Sequence, residues 1–132
     1  MTYETLLNEA HEKGLIVKEK PLISCDGRIK GNRIAIRQDI GTSSKKACVL
    51  AEELAHHELT VGNIVYLSDM DQLRQEHKAR VKAYEKLLSV AQICEAAAKG
   101  YTQPHEMAEY LDVDEEFLRE YLVYQGILDV SL

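Results

Sequence analysis

Hydrophobic spacing along the chain predicts a helix, a small sheet and then a run of helices. From Tyr3 to Lys13, Leu6, Leu7, Ala10 and His11 recur at helical intervals, and Gly14 is a natural stop. Leu15-Ile16-Val17 is a short β-rich run ending in the charged KEKP. The segment ISCDGRIKGNRIAIRQDI reads as a meander, with Asp26-Gly27 and Gly31-Asn32 as turn pairs. In Arg33–Arg37 the alternation places Ile34 and Ile36 on one face and Arg33 and Arg37 on the other.

Gly41-Thr42-Ser43-Ser44 then supplies helix-capping chemistry. Ala47, Leu50, Ala51 and Leu54 form the core-facing stripe of a helix from about Ser44 to His57. Thr60 to Asn63 is expected to break it, with Ile64 to Ser68 as a connector. A long helix follows from about Asp71 to Val90, with Leu73, Ala83, Tyr84, Leu87 and Leu88 as its apolar positions. A shorter helix runs through Ala91–Lys99 to Gly100. The last segment contains two short helices around Asp112-Val113-Asp114, with Pro104 near the first start and Asp114 capping the second.

A length of 132 residues suits one domain with a single core, and 45% hydrophobic residues is ordinary for a globular chain. No apolar run reaches the roughly 18 residues that span a bilayer. The opening MTYETLLNEAHEKG resembles neither a secretory nor a transit peptide, so a cytoplasmic location and no membrane association are expected. Cys25, Cys48 and Cys94 are odd in number and form no C-x-x-C pair, which suits a reducing compartment. Cys48 and Cys94 read as small core residues.

Charge is unevenly divided. Residues 1–100 hold 15 Lys+Arg against 14 Asp+Glu, whereas residues 101–132 hold only Arg119 against eight acids. The resulting division is a main domain, 1–100, and an acidic two-helix extension, 101–132, packed on it. The extension superficially resembles a helix-turn-helix, but its acids would repel phosphate, so no direct nucleic-acid contact is expected.

Candidate chemistry concentrates in AEELAHHE, Ala51 to Glu58. Zinc peptidase helices place two metal ligands at i and i+4, on one face, and a carboxylate base at i+1. With Glu53 and His57 as ligands, the base position would be Leu54, which has no acid–base chemistry. With Glu52 and His56 as ligands, the base is Glu53. The competing reading is an ordinary charged helix face. Carboxylate in place of the first histidine suits Zn²⁺, or a harder ion such as Mn²⁺. Glu76 is the candidate third ligand, because its spacing from Leu73, Ala83 and Leu87 suggests a core-facing side. His77 competes for that role, and an i,i+4 pair with Arg80 is the plain alternative for Glu76.

These features resemble the ImmA/IrrE family of metallo-endopeptidases, particularly its compact phage and mobile-element forms. The likeness lies in GNRIAIRQDI, in TSSKKACVLAEELAHH, and in the E-x-x-A-R-x-x-A-Y pattern of Glu76 to Tyr84. It runs through residues 1 to about 125. It implies an α+β fold: a small zincin-like domain with an N-terminal helix, a short antiparallel sheet, a metal-binding helix and a helical C-terminal extension. It further implies metal ligation by His56 and Glu76 and base catalysis by Glu53. Glu52 stands where the family's first histidine would, with His57 as a possible replacement nitrogen donor. Tyr84 and His77 are candidates for stabilising an oxyanion, Tyr84 being also a natural core residue. The implied substrate is a DNA-binding transcriptional repressor. The alternative is a decayed pseudo-peptidase that binds such a partner without cutting it.

Overall fold

The computed structural model describes residues 2–60 and 69–128, and its architecture is α+β. Helix α1 (Tyr3–Glu12) begins at Thr2, whose hydroxyl accepts from the Thr5 amide, and ends at Gly14 in a left-handed conformation. Leu6 and Ala10 are its buried residues, as the spacing predicts.

Three strands follow: β1 (Ile16–Lys20), β2 (Gly27–Lys30) and β3 (Arg33–Arg37), in sheet order β1-β3-β2. The sheet is mixed, not antiparallel as expected. β2 and β3 form a hairpin about Gly31-Asn32, with Gly31 at φ +61°, but β1 runs parallel to β3. The strand order follows from the side chains. Ile34 and Ile36 are buried, so β3 takes the centre, and the lysine-bearing strands become edges. The KEK after Ile16-Val17 therefore belongs to β1: Lys18 and Lys20 face solvent, while Glu19 turns inward to Lys46 at 2.6 Å.

Asp26-Gly27 is not the expected turn pair. Gly27 opens β2, and a Cβ there would lie 2.6 Å from Val49 Cγ1. Here glycine is required by close approach of strand to helix.

The sheet's inner face packs on α2 (Ser43–Thr60), whose Ala47, Leu50, Ala51 and Leu54 are all buried. Helix α3 (Asp69–Leu87) lies against α2, with Ala51 and Ala55 on one helix and Ala79 and Ala83 on the other buried. Small side chains let two helices approach closely. The buried residues of α3 and its C-terminal end are Ala79, Ala83, Tyr84, Leu87 and Leu88, whereas Leu73 is 65% exposed. Leu73 is therefore not a core position, because the first turns of α3 extend past the packed surface. The expected break and connector at 61–68 lie outside the described residues.

Helix α4 (Val90–Ala98) starts with a reciprocal cap between Ser89 and Gln92. Helices α5 (Pro104–Leu111) and α6 (Glu115–Tyr124) flank Asp112, which adopts a left-handed conformation at φ 55°. Pro104 opens α5, and Asp114 accepts from the Phe117 amide to cap α6. Phe117 and Tyr121 meet the Tyr84 ring at 5.2 and 5.7 Å, both edge-on, so the extension shares the main core. Cys48 is buried as expected, but Cys94 is exposed, on the face of α4 turned from the core. No helix among the described residues is long and apolar enough to cross a membrane.

Candidate functional site

The acidic turn of α2 faces two elements: the start of β2 and the middle of α3. Glu52, Glu53, His56 and His57 are all half-buried, so this is not a fully solvated charged face. His56 Nε2 lies 3.3 Å from Glu76 Oε2, which joins residues 20 apart in sequence across two helices. Glu76 is not core-facing as its spacing suggested: its side chain is 64% exposed, and it reaches His56 from the rim.

Glu53 leans over β2. The position that a Gly27 Cβ would occupy is 3.1 Å from Glu53 Oε1. Burial, followed by the nearby charges of Glu52 and Glu76, pushes the Glu53 carboxyl up to about 7. Its proton is therefore exchangeable near neutral pH.

Glu52 is held elsewhere. Its Oε2 accepts from Arg80 Nη1 at 2.9 Å, while Arg80 Nε donates to Glu120 Oε2 at 2.8 Å. Arg80 also packs over the Phe117 ring, 5.1 Å from its centroid. Thus Arg80 does not pair with Glu76 one turn earlier; it bridges α2 to the C-terminal extension. Beside this bridge opens a cavity of about 310 Å³, lined by Gly27, Cys48, Glu52, Arg80, Asp114 and Phe117 among others. The two remaining histidine candidates diverge. His57 stays half-buried on α2, whereas His77 is exposed with its ring 6.1 Å from Tyr124, edge-on. Tyr84 is a core residue, 6% exposed, with its hydroxyl 3.4 Å from Glu120.

The residues can be tested against the implied metal. Bonds of 2.0–2.2 Å in a tetrahedral site put neighbouring ligand atoms roughly 3.3–3.6 Å apart. The His56–Glu76 separation of 3.3 Å meets that requirement. Glu52, as placed, does not join them, and among the described residues no three His, Cys, Asp or Glu side chains stand together as a metal-holding group. Of the four sequence candidates, His56 and Glu76 thus come together, Glu53 lies one turn before His56, and Glu52 is clamped by Arg80.

The Arg80–Glu120 clamp and the Gly27 contact were missed by sequence reasoning. Glu120 lies 40 residues from Arg80, so no local periodicity links them. Gly27 carried a signal, but after Asp26 it read as a turn. No protein-family model matches the chain, and no curated protein matches it.

Proposed function

We propose that this chain is a cytoplasmic zincin-like, metal-dependent endopeptidase of the ImmA/IrrE type, acting on a DNA-binding repressor. The observation that carries this reading is the His56–Glu76 pair, 3.3 Å apart on two helices, with Glu53 one turn before His56. That distance also suits a plain hydrogen-bonded pair, which makes metal content the deciding measurement.

His56 and Glu76 would hold Zn²⁺ or Mn²⁺, and Glu52 would join them on leaving Arg80. When bound, the ion supplies Lewis acidity toward the scissile carbonyl and toward water. Glu53 accepts a proton at its carboxylate from the attacking water and returns it to the leaving amine. β2 supports a peptide substrate: among the described residues its second edge is unpaired, and its first residue lies against Glu53. An extended peptide added to that edge would pass the base.

The test is metal analysis of purified protein, followed by incubation with the repressor. About one Zn²⁺ or Mn²⁺ per chain is expected, lost in His56→Ala and Glu76→Ala, with cleavage at one site abolished by Glu53→Gln. Absence of metal, or cleavage unchanged by Glu53→Gln, rejects the peptidase reading.

One observation favours a second reading, the non-cleaving binder: the residue at the first-histidine position is an acid, and Arg80 engages it. That reading predicts stoichiometric repressor binding without metal and without cut products.

A further inference from the structure

The outer face of the sheet, turned from α2, concentrates positive charge. Lys18, Lys20, Arg28, Lys30 and Arg33 are all exposed there, and none forms an ion pair among the described residues. Arg37 joins them by strand alternation but is engaged by Asp26 and Asp39. Glu19 lies on the opposite face, bound to Lys46. Apart from Asp26 and Asp39, which hold Arg37 at one end, the outer face of the strands thus carries cations unopposed by acids, on a chain whose net charge is −6.

We infer that this face binds the phosphate backbone of duplex nucleic acid.

Three features favour that partner. First, like charges are paired across strands: Lys30 stands in register with Arg33, and neither forms an ion pair among the described residues. Such neighbours repel in the free protein and are relieved by an anion. Lysines on edge strands also deter edge-to-edge pairing. That role does not account for Arg33, which sits on the central strand.

Second, the charges form a two-dimensional array. Strands about 4.8 Å apart, with same-face residues about 6.6 Å apart, spread the cations over all three strands. An acidic peptide offers one line of carboxylates, whereas a duplex offers phosphates across a broad surface. The centre of the face is Ala35, flanked in register by Lys18 and Arg28, and a depression of about 250 Å³ opens there. Convex anionic surface fits such a dip.

Third, no aromatic residue lies on this face, so it lacks the stacking platform that single strands use. It also lacks the Asn and Gln that read adenine edges; Arg28 and Arg33 are assigned to phosphates, where they carry no sequence information. The N-terminal end of α6, in the acidic extension, lies away from this face. Its Asp114 and Glu116 line the cavity on the α2 side of the sheet, and interactions between exposed charges are largely screened beyond about 8 Å.

The test is fluorescence anisotropy of a labelled random-sequence duplex of about 20 base pairs, with the full chain, across a salt series. Five phosphate contacts give a slope of log affinity against log salt of about −4.5, a loss of roughly 500-fold between about 50 and 200 mM. A duplex of scrambled sequence should bind equally. Lys18→Glu/Lys30→Glu/Arg33→Glu should abolish binding while retaining the wild-type circular dichroism and melting temperature. Should that variant fail to fold, Lys18→Gln/Lys30→Gln/Arg33→Gln serves instead, with the slope reduced to about −1.8.

No duplex binding at about 50 mM salt, binding unchanged in the variants, or preference for a poly-glutamate peptide over duplex each overturns the proposal. So does self-association of the wild type, lost in the variants, in place of duplex binding. That result would assign the face to the acidic extension of a second copy. None of these residues belongs to the His56–Glu76 pair. Loss of duplex binding with metal content intact, and the converse, therefore separate this inference from the peptidase reading.

Discussion

Glu53 and Glu58 lie five residues apart on α2, yet their surroundings drive them in opposite directions. Burial alone would raise the Glu58 carboxyl, but hydrogen bonds from Lys13 at 2.5 Å and Lys86 at 2.7 Å overcome it and hold the group at about 2. Glu9 shares both lysines, so this end of the helix is an alternating network that ties α1, α2 and α3 together. Around Glu53 the balance reverses: burial and two further carboxylates push it up to about 7. Arg80, the nearby cation, is committed to Glu52 and Glu120. One turn cancels its charge and braces the fold; the other accumulates charge of one sign, a cost to folding that functional sites commonly carry.

The largest expected difference is in cleavage. On the peptidase reading, Glu53→Gln removes a general base and lowers single-turnover repressor cleavage by about 10²–10⁴-fold. Glu58→Gln should leave the rate within about threefold of wild type, since Glu58 braces helices and touches no reacting group. Equal losses in both variants would erase the distinction.

A smaller effect tests the packing that places Glu53. Gly27→Ala puts a methyl 2.6 Å from Val49 Cγ1 and 3.1 Å from Glu53 Oε1. Overpacking of this kind should cost about 1–3 kcal/mol in chemical denaturation. The same change in Gly31, where nothing lies within 4 Å, should cost less and act through its positive φ alone.

The smallest effect concerns pH, and its sign differs at the two positions. Glu58 has a folded-state pKa of about 2, below the usual 4.5, so its contribution is present above about 4.5 and is lost as pH falls toward 2. Discounted for partial exposure, it amounts to about 1 kcal/mol. Glu53, held at about 7, binds its proton more tightly when folded, so stability falls as pH rises from about 4.5 to 7. In chelator-treated protein, urea midpoints across pH should lose their acid-side decline in Glu58→Gln. In Glu53→Gln they should lose the opposing decline toward neutrality.

Much of the fold is legible from local pattern. The stripe of Ala47, Leu50, Ala51 and Leu54, the alternation through Ile34 and Ile36, and the caps at Gly14 and Asp114 all appear where spacing places them. These depend on 3.6-residue and two-residue periodicity, which the chain carries within a few turns. Leu73 and Cys94 misled because a periodic apolar position is buried only where another element covers it.

By itself, then, the sequence determined the helices, the strand faces and the crowding of acids and histidines into AEELAHHE. Tertiary structure alone decided which charges meet. It put β3 at the centre of a mixed sheet, brought Glu76 to His56, and joined Glu52 to Glu120 through Arg80. It also assembled the cations of three strands on one face, although the charge balance of residues 1–100 is nearly neutral. Periodicity is a property of neighbours in sequence, whereas electrostatic environment is set by neighbours in space, and only packing creates those.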